Sequence, residues 1–208
     1  MIKSRKKSKK SNSSKPSGQM IAATNFFAEA GLLKRIKRSG WWVVGIKDPE
    51  SVAEHCFRTA VIGFYLAHLE GADPYKVLVM TLFNDIHESR INDLHKMGHF
   101  YIDFKEAEQK VFRDQIKTLE DKVKSQLQHL RKEFDFQQTK ESLIARDADI
   151  LECLLQAKEY FDSGYRQAQL FFNKAPQFLK TRSALRIWQT MKTWDSFLWW
   201  QNITKFER

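Results

Sequence analysis

From Met20 onward apolar residues recur at spacings of three and four with little interruption, the pattern of successive amphipathic helices. Phe26, Phe27, Ala30, Leu33 and Ile36 predict a first helix over about residues 20–37. The period is lost across Arg38-Ser39-Gly40-Trp41-Trp42-Val43-Val44-Gly45, which reads as a loop. Ser51, three residues before Glu54, forms a capping box and opens a second helix over about residues 51–69. Gly71 then supplies a stop. Asp73 suits a new N-cap, and Pro74 suits the first helical position, where its missing N–H costs nothing. The third helix carries Val77 to Phe83, apolar nearly all round, and is expected to be central and buried. Residues from about 89 to 103 read as an irregular connection. Two long charged helices follow at about 105–134 and 138–163, then one or two more containing Trp188, Trp194, Phe197, Leu198, Trp199 and Trp200. Those aromatics are assigned to core or dimer packing.

The pattern predicts an all-α fold, and composition agrees: only 8 Gly and 4 Pro in 208 residues cannot supply the turns of an all-β domain. The length suits one domain, taken as residues 19–208, with no internal repeat. No run of about 18 apolar residues predicts a transmembrane helix. Cys56 and Cys153 both fall in helical apolar stretches, so a disulfide framework is not expected and a cytoplasmic location is. The net charge of +10 is unevenly placed. Seven of those charges, Lys3, Arg5, Lys6, Lys7, Lys9, Lys10 and Lys15, lie in the first 16 residues without an acidic partner. Residues 1–18 therefore read as a disordered, solubilising basic tail, with weak attraction to polyanions as the alternative role. No aromatic RNA-binding motif or helix-turn-helix signature accompanies it.

Chemistry is suggested where polar groups interrupt apolar faces. His55 sits one turn into a helix otherwise lined by Val52, Ala53, Cys56, Phe57, Ala60 and Val61. Asn84-Asp85 directly follows the apolar run, with Glu88 close enough to share a helical face. Asp147 and Asp149 interrupt a helix whose core face is Ile144, Ala148, Leu151 and Leu155. Each has an ordinary explanation: a hydrogen-bonded core histidine, a solvated carboxylate at a helix end, an Asp147 paired with Arg146 or Lys158. A buried carboxylate, however, is costly unless paired or bound to a metal. Three helices each presenting His or Asp to one core could form a mononuclear metal site with an activated water.

The order of these residues resembles the HD superfamily of metal-dependent phosphohydrolases: a His, a His-Asp pair, then a distant Asp, all on helices. Arg38-Ser-Gly-Trp41 followed by Pro49-Glu-Ser-Val-Ala-Glu-His55 is similar to the opening of its 5'-deoxynucleotidase-like members. Asp85-Ile-His-Glu88-Ser-Arg-Ile-Asn-Asp93 and Arg146-Asp-Ala-Asp149-Ile-Leu-Glu resemble the later motifs. The resemblance spans about residues 24–165 and implies a single helical bundle that hydrolyses nucleoside 5'-monophosphates. It implies His55, Asn84, Asp85 and Asp149 as ligands of one divalent ion, Mn, Co, Zn, Fe or Mg. Glu88 and Asp85 would be catalytic, and Arg38, Trp41 and Asp93 would hold substrate. Spacing alone does not separate Asp149 from Asp147; the resemblance makes that choice. It also implies a homodimer.

Two departures stand out. Gly40, not Arg, precedes Trp41, so Arg38 is taken as the equivalent cation. Asn84 occupies the first position of the His-Asp pair, and a neutral amide is a poorer ligand than imidazole for Zn or Co. The alternative function is therefore a catalytically weakened domain that binds a nucleotide or a protein. His87 could replace the missing imidazole only if its ring turned into the site. His95 and His99 have the i, i+4 spacing of a helical metal pair, but Met97-Gly98 between them argues for loop histidines facing solvent.

Overall fold

The computed structural model describes residues 17–201 and 203; the first 16 residues of the basic tail lie outside them. Ten α-helices are present among the described residues: α1 Gly18–Leu32, α2 Val52–Glu70, α3 Pro74–Leu82, α4 Glu88–Ile91, α5 Lys96–Tyr101, α6 Phe104–Ile116, α7 Asp121–Phe136, α8 Lys140–Asp162, α9 Gln169–Lys174 and α10 Arg182–Met191. Short 3-10 turns cover Ser39–Val44, Arg166–Ala168 and Ala175–Phe178.

Helices α2, α3 and α8 make the centre. Their starts are built as the sequence predicts: Ser51 accepts from the Glu54 amide while Glu54 accepts in return, and Asp73 accepts from the amides of Tyr75 and Lys76 ahead of Pro74. Gly71 ends α2 in the left-handed region at φ 65°, which costs a glycine nothing. Gly63 allows α2 and α3 to approach closely, since a Cβ there would lie 2.9 Å from Val77 Cγ1. Leu66, Ala67, Val77, Met80, Ile144, Ala148, Leu151 and Leu154 fill the space between these helices, and Trp188 and Met191 of α10 close one side. A second cluster, including Phe26, Val52, Ile86, Phe112 and Ile116, holds α1 and α6 against α2. Burial of such side chains contributes roughly 1.5–3 kcal/mol each before entropy is charged against it.

Several boundaries differ from the sequence reading. The first helix ends at Leu32, because Ile36 and Lys37 leave it to pair with Ser51 and Val52, with Val52 N–H donating to the Ile36 carbonyl at 2.9 Å. The stretch expected as a loop at 38–45 contains a 3-10 turn that carries Trp41 into the core. The expected 105–134 helix is two helices, broken at residues 117–120 without glycine or proline to announce it. The connection at 89–103 contains α4 and α5. His95 caps α5 by accepting from the Gly98 amide, so the Met97-Gly98 segment is helical after all, and His99 packs edge-on against Phe104. At the C-terminus Trp188 is buried, whereas Trp199 is 62% exposed and does not belong to the core.

Candidate metal centre

His55 lies on α2, pointed inward with only 1% exposure. Its two ring nitrogens face different groups. Nδ1 donates to Glu152 of α8, since an ionised carboxylate can only accept. Nε2 is then directed at Asp149 Oδ1, 3.1 Å away, and Asp85 Oδ2, 3.5 Å away. The residue that aims the ring, Glu152, went unassigned in the sequence reading. Its available signal was helical spacing, three residues beyond Asp149 on the same face.

Glu152 is fully buried and surrounded by cations. Arg58 donates to it through Nε at 2.9 Å and Nη2 at 2.8 Å, and Arg38 Nη1 lies 3.6 Å away. Arg58 continues to Gln156 and Glu159, which locks α2 to α8 along about two turns. Burial and Arg38 disfavour a charged His55 ring, yet the Glu152 and Asp149 carboxylates outweigh them and raise it to about 10. Burial would likewise raise Asp149, but His55 and Arg146 hold it well below the carboxylate range. The Nε2 side of His55 is thus a region of strong negative potential that draws a positive charge.

That side opens on a cavity of about 240 Å³ lined on one wall by Arg38, His55, Asp85, Glu88, Asp93 and Asp149. Asp85 follows the end of α3, and Glu88 opens α4 three residues later. Burial, Asp85 and Asp93 together push the Glu88 carboxyl well above its ordinary value. Asp93 accepts from the Ser39 amide at 2.7 Å, which ties the 3-10 turn to this wall. Arg38 Nη1 is buried and makes no hydrogen bond, its nearest charge being Glu152 at 3.6 Å, so the guanidinium is held beside the carboxylates by ion pairing alone. Arg146 donates to Asp149 Oδ2 at 2.8 Å from the rim. Asn84 also lines the cavity, with its Nδ2 donating to Asp85 Oδ1 at 2.7 Å.

The structure separates the two aspartates of α8. Asp147 faces away from the cavity and accepts from the Lys180 and Thr181 amides and the Thr181 hydroxyl, organising the start of α10. It does not pair with Arg146 or Lys158. Trp41 does not line the cavity either. It is 1% exposed, packed against Tyr160 and Phe171, and its Nε1 donates to Glu50 at 3.0 Å. In this arrangement Trp41 supports Glu50 from behind the cavity. His87 is buried among the lining residues, with Nε2 3.4 Å from Glu108 and Nδ1 beside the Asn84 carbonyl.

Glu50, His55 and Glu152 offer atoms within 4.8 Å of one another, a tighter mutual spacing than the two aspartates on the Nε2 side show. This trio is the poorer cation site, because Arg38 already lies 4.0 Å from Glu50 and Arg58 occupies Glu152. Burial and Glu152 push Glu50 up to about 7, against the pull of Arg38. The donor set of His55 Nε2, Asp85 and Asp149, converging on a cavity, suits a divalent ion better.

A bundle of helices holding one imidazole and several carboxylates around a cavity is a metal-dependent hydrolase architecture. The chain belongs to the HD domain family, whose model matches residues 30–189. Among its curated relatives is the 5'-deoxynucleotidase HDDC2 of Dictyostelium discoideum, 32% identical over 143 residues, covering 65% of this chain and 75% of that protein. The human 5'-deoxynucleotidase HDDC2 is 26% identical over 146 residues, with 70% and 71% covered. A conserved hypothetical protein from Pyrococcus furiosus has a similar structure, with TM-score 0.69, 32% identity, and 82% and 99% of the two chains covered. A predicted metal-dependent phosphohydrolase from Magnetospirillum magnetotacticum shares the fold at TM-score 0.69 and 22% identity, with 85% and 92% covered.

Proposed function

We propose that this protein is a metal-dependent phosphohydrolase that releases phosphate from nucleoside 5'-monophosphates. The observation that carries the reading is the convergence of His55 Nε2, Asp149 and Asp85 on one cavity, with Glu88 and the Arg38 guanidinium also lining it. The relatives named as 5'-deoxynucleotidases support the substrate class.

His55, Asp85 and Asp149, with Asn84 beside them, would hold one divalent ion. When bound, such an ion supplies an acidified water and neutralises charge on the phosphoryl group. Arg38, which lines the cavity, would supply positive charge to a phosphoryl oxygen and help orient the ester. Hydrolysis joins a water oxygen to phosphorus and breaks the bond to the 5' oxygen. One proton must pass from the water to the leaving alkoxide, and Glu88 is placed to carry it. Asp93 fixes the Ser39 end of the wall that presents Arg38. To the same proposal belong a homodimeric assembly, a cytoplasmic location and weak polyanion attraction by the Lys-rich first 16 residues.

Replacing Asp85 with Ala tests the assignment. If the ion contributes several kcal/mol to the transition state, phosphate release in Asp85→Ala falls by about 100-fold or more. Unchanged turnover in a folded variant would sink the assignment. Silence of the wild-type chain with every metal would instead favour a binding role, for which Asn84 gives the reason.

A further inference from the structure

We infer that Asn84 tunes the proposed centre toward hard cations, Mg or Mn, by withholding a second nitrogen donor; the inference rests on the metal-centre reading above. Asn84 is held at two points. Its Nδ2 donates to Asp85 Oδ1 at 2.7 Å, and its backbone carbonyl accepts from Arg131 Nη1 at 2.9 Å. The amide orientation is chemically forced, because turning it over would set its oxygen against an acceptor-only carboxylate. Asn84 therefore brings no nitrogen lone pair to the centre and spends its donor on fixing Asp85.

The other imidazole on the cavity, His87, cannot make up the loss. Its Nε2 faces Glu108, and its Nδ1 lies 3.2 Å from the Asn84 carbonyl and 3.3 Å from Arg131 Nη1. Arg131 also reaches Glu108 and Asp135, so this imidazole belongs to a network joining α6 and α7 to the turn before α4. One imidazole nitrogen, on His55, is left among carboxylate oxygens. Oxygen-rich sets suit Mg and Mn, while added imidazole favours Co and Zn. Zinc exceeds manganese in raw affinity at almost any mixed nitrogen–oxygen site, so the inference concerns the size of that gap.

The test is equilibrium dialysis of the EDTA-stripped full chain against buffered Mn and Zn, with bound metal counted directly. Asn84→His is expected to widen the zinc-over-manganese affinity ratio by about tenfold or more, within the range seen for changes around a metal. Asn84→Ala is expected to weaken both metals together. A ratio unmoved by Asn84→His overturns the inference, as does equal widening by Asn84→Ala. If the wild type and Asp85→Ala bind no metal alike, the metal centre itself fails, and that result is distinct from an unmoved ratio.

Discussion

At the residue scale the centre depends on which way one imidazole points. Glu152 accepts a hydrogen bond from the Nδ1–H of His55, and this leaves Nε2 to Asp149 and Asp85. Outer partners of this kind commonly set metal affinity through the ligand they orient. Glu152→Gln keeps the size of the side chain and removes the charge that His55, Arg38 and Arg58 share. It is expected to weaken manganese binding by roughly 10–100-fold, raising the metal concentration needed for half-maximal turnover. Full turnover at saturating metal with an unchanged manganese requirement would show that Glu152 only packs. His55, Asp85, Glu88 and Asp149 stood out in the sequence because each breaks an apolar pattern. Glu152 did not, since a glutamate on a long charged helix resembles a solvated one.

At the scale of elements, α8 carries two carboxylates two residues apart, one that caps a neighbouring helix and one that lines the cavity. Such neighbours diverge by about 200° around a helix, so they face different surroundings. Asp147 is fully buried against the start of α10, and Asp149 faces the cavity. Asp147→Ala leaves two amides and a hydroxyl without their acceptor and is expected to cost roughly 3 kcal/mol, seen as a lower melting temperature. Phosphate release per folded molecule should persist well below that temperature. Asp149→Ala should do the reverse, sparing stability and removing release. Loss of both properties together in each variant would contradict the division. Periodicity shows that both residues interrupt the apolar face, but not that one would meet the Thr181 segment, 34 residues away in sequence. Capping chemistry was legible where it is local, at Ser51 and Asp73. The break between α6 and α7 was not, because tertiary packing of Ile116 and Leu119 imposes it without a breaker residue.

At the scale of the molecule, α2, α3 and α8 form the core and deliver the site together. The same packing of Val77, Ala148 and Leu151 that buries apolar surface places Asp149 and Asp85 each within 3.5 Å of His55 Nε2. No described helix is long and apolar enough to cross a membrane. The all-α fold was readable from spacing and from the scarcity of glycine and proline. The share of the cavity lining contributed by Glu108 and Arg131 depends on how α6 and α7 fold back, which no local pattern records. The central claim is metal-dependent hydrolysis of a nucleoside 5'-monophosphate. Its most direct measurement is phosphate release from deoxy- and ribonucleoside 5'-monophosphates with Mn, Co, Zn or Mg, alongside EDTA. Release that EDTA abolishes and added metal restores is the result predicted here. A folded protein that stays silent under every metal, or releases phosphate equally well in EDTA, would contradict it.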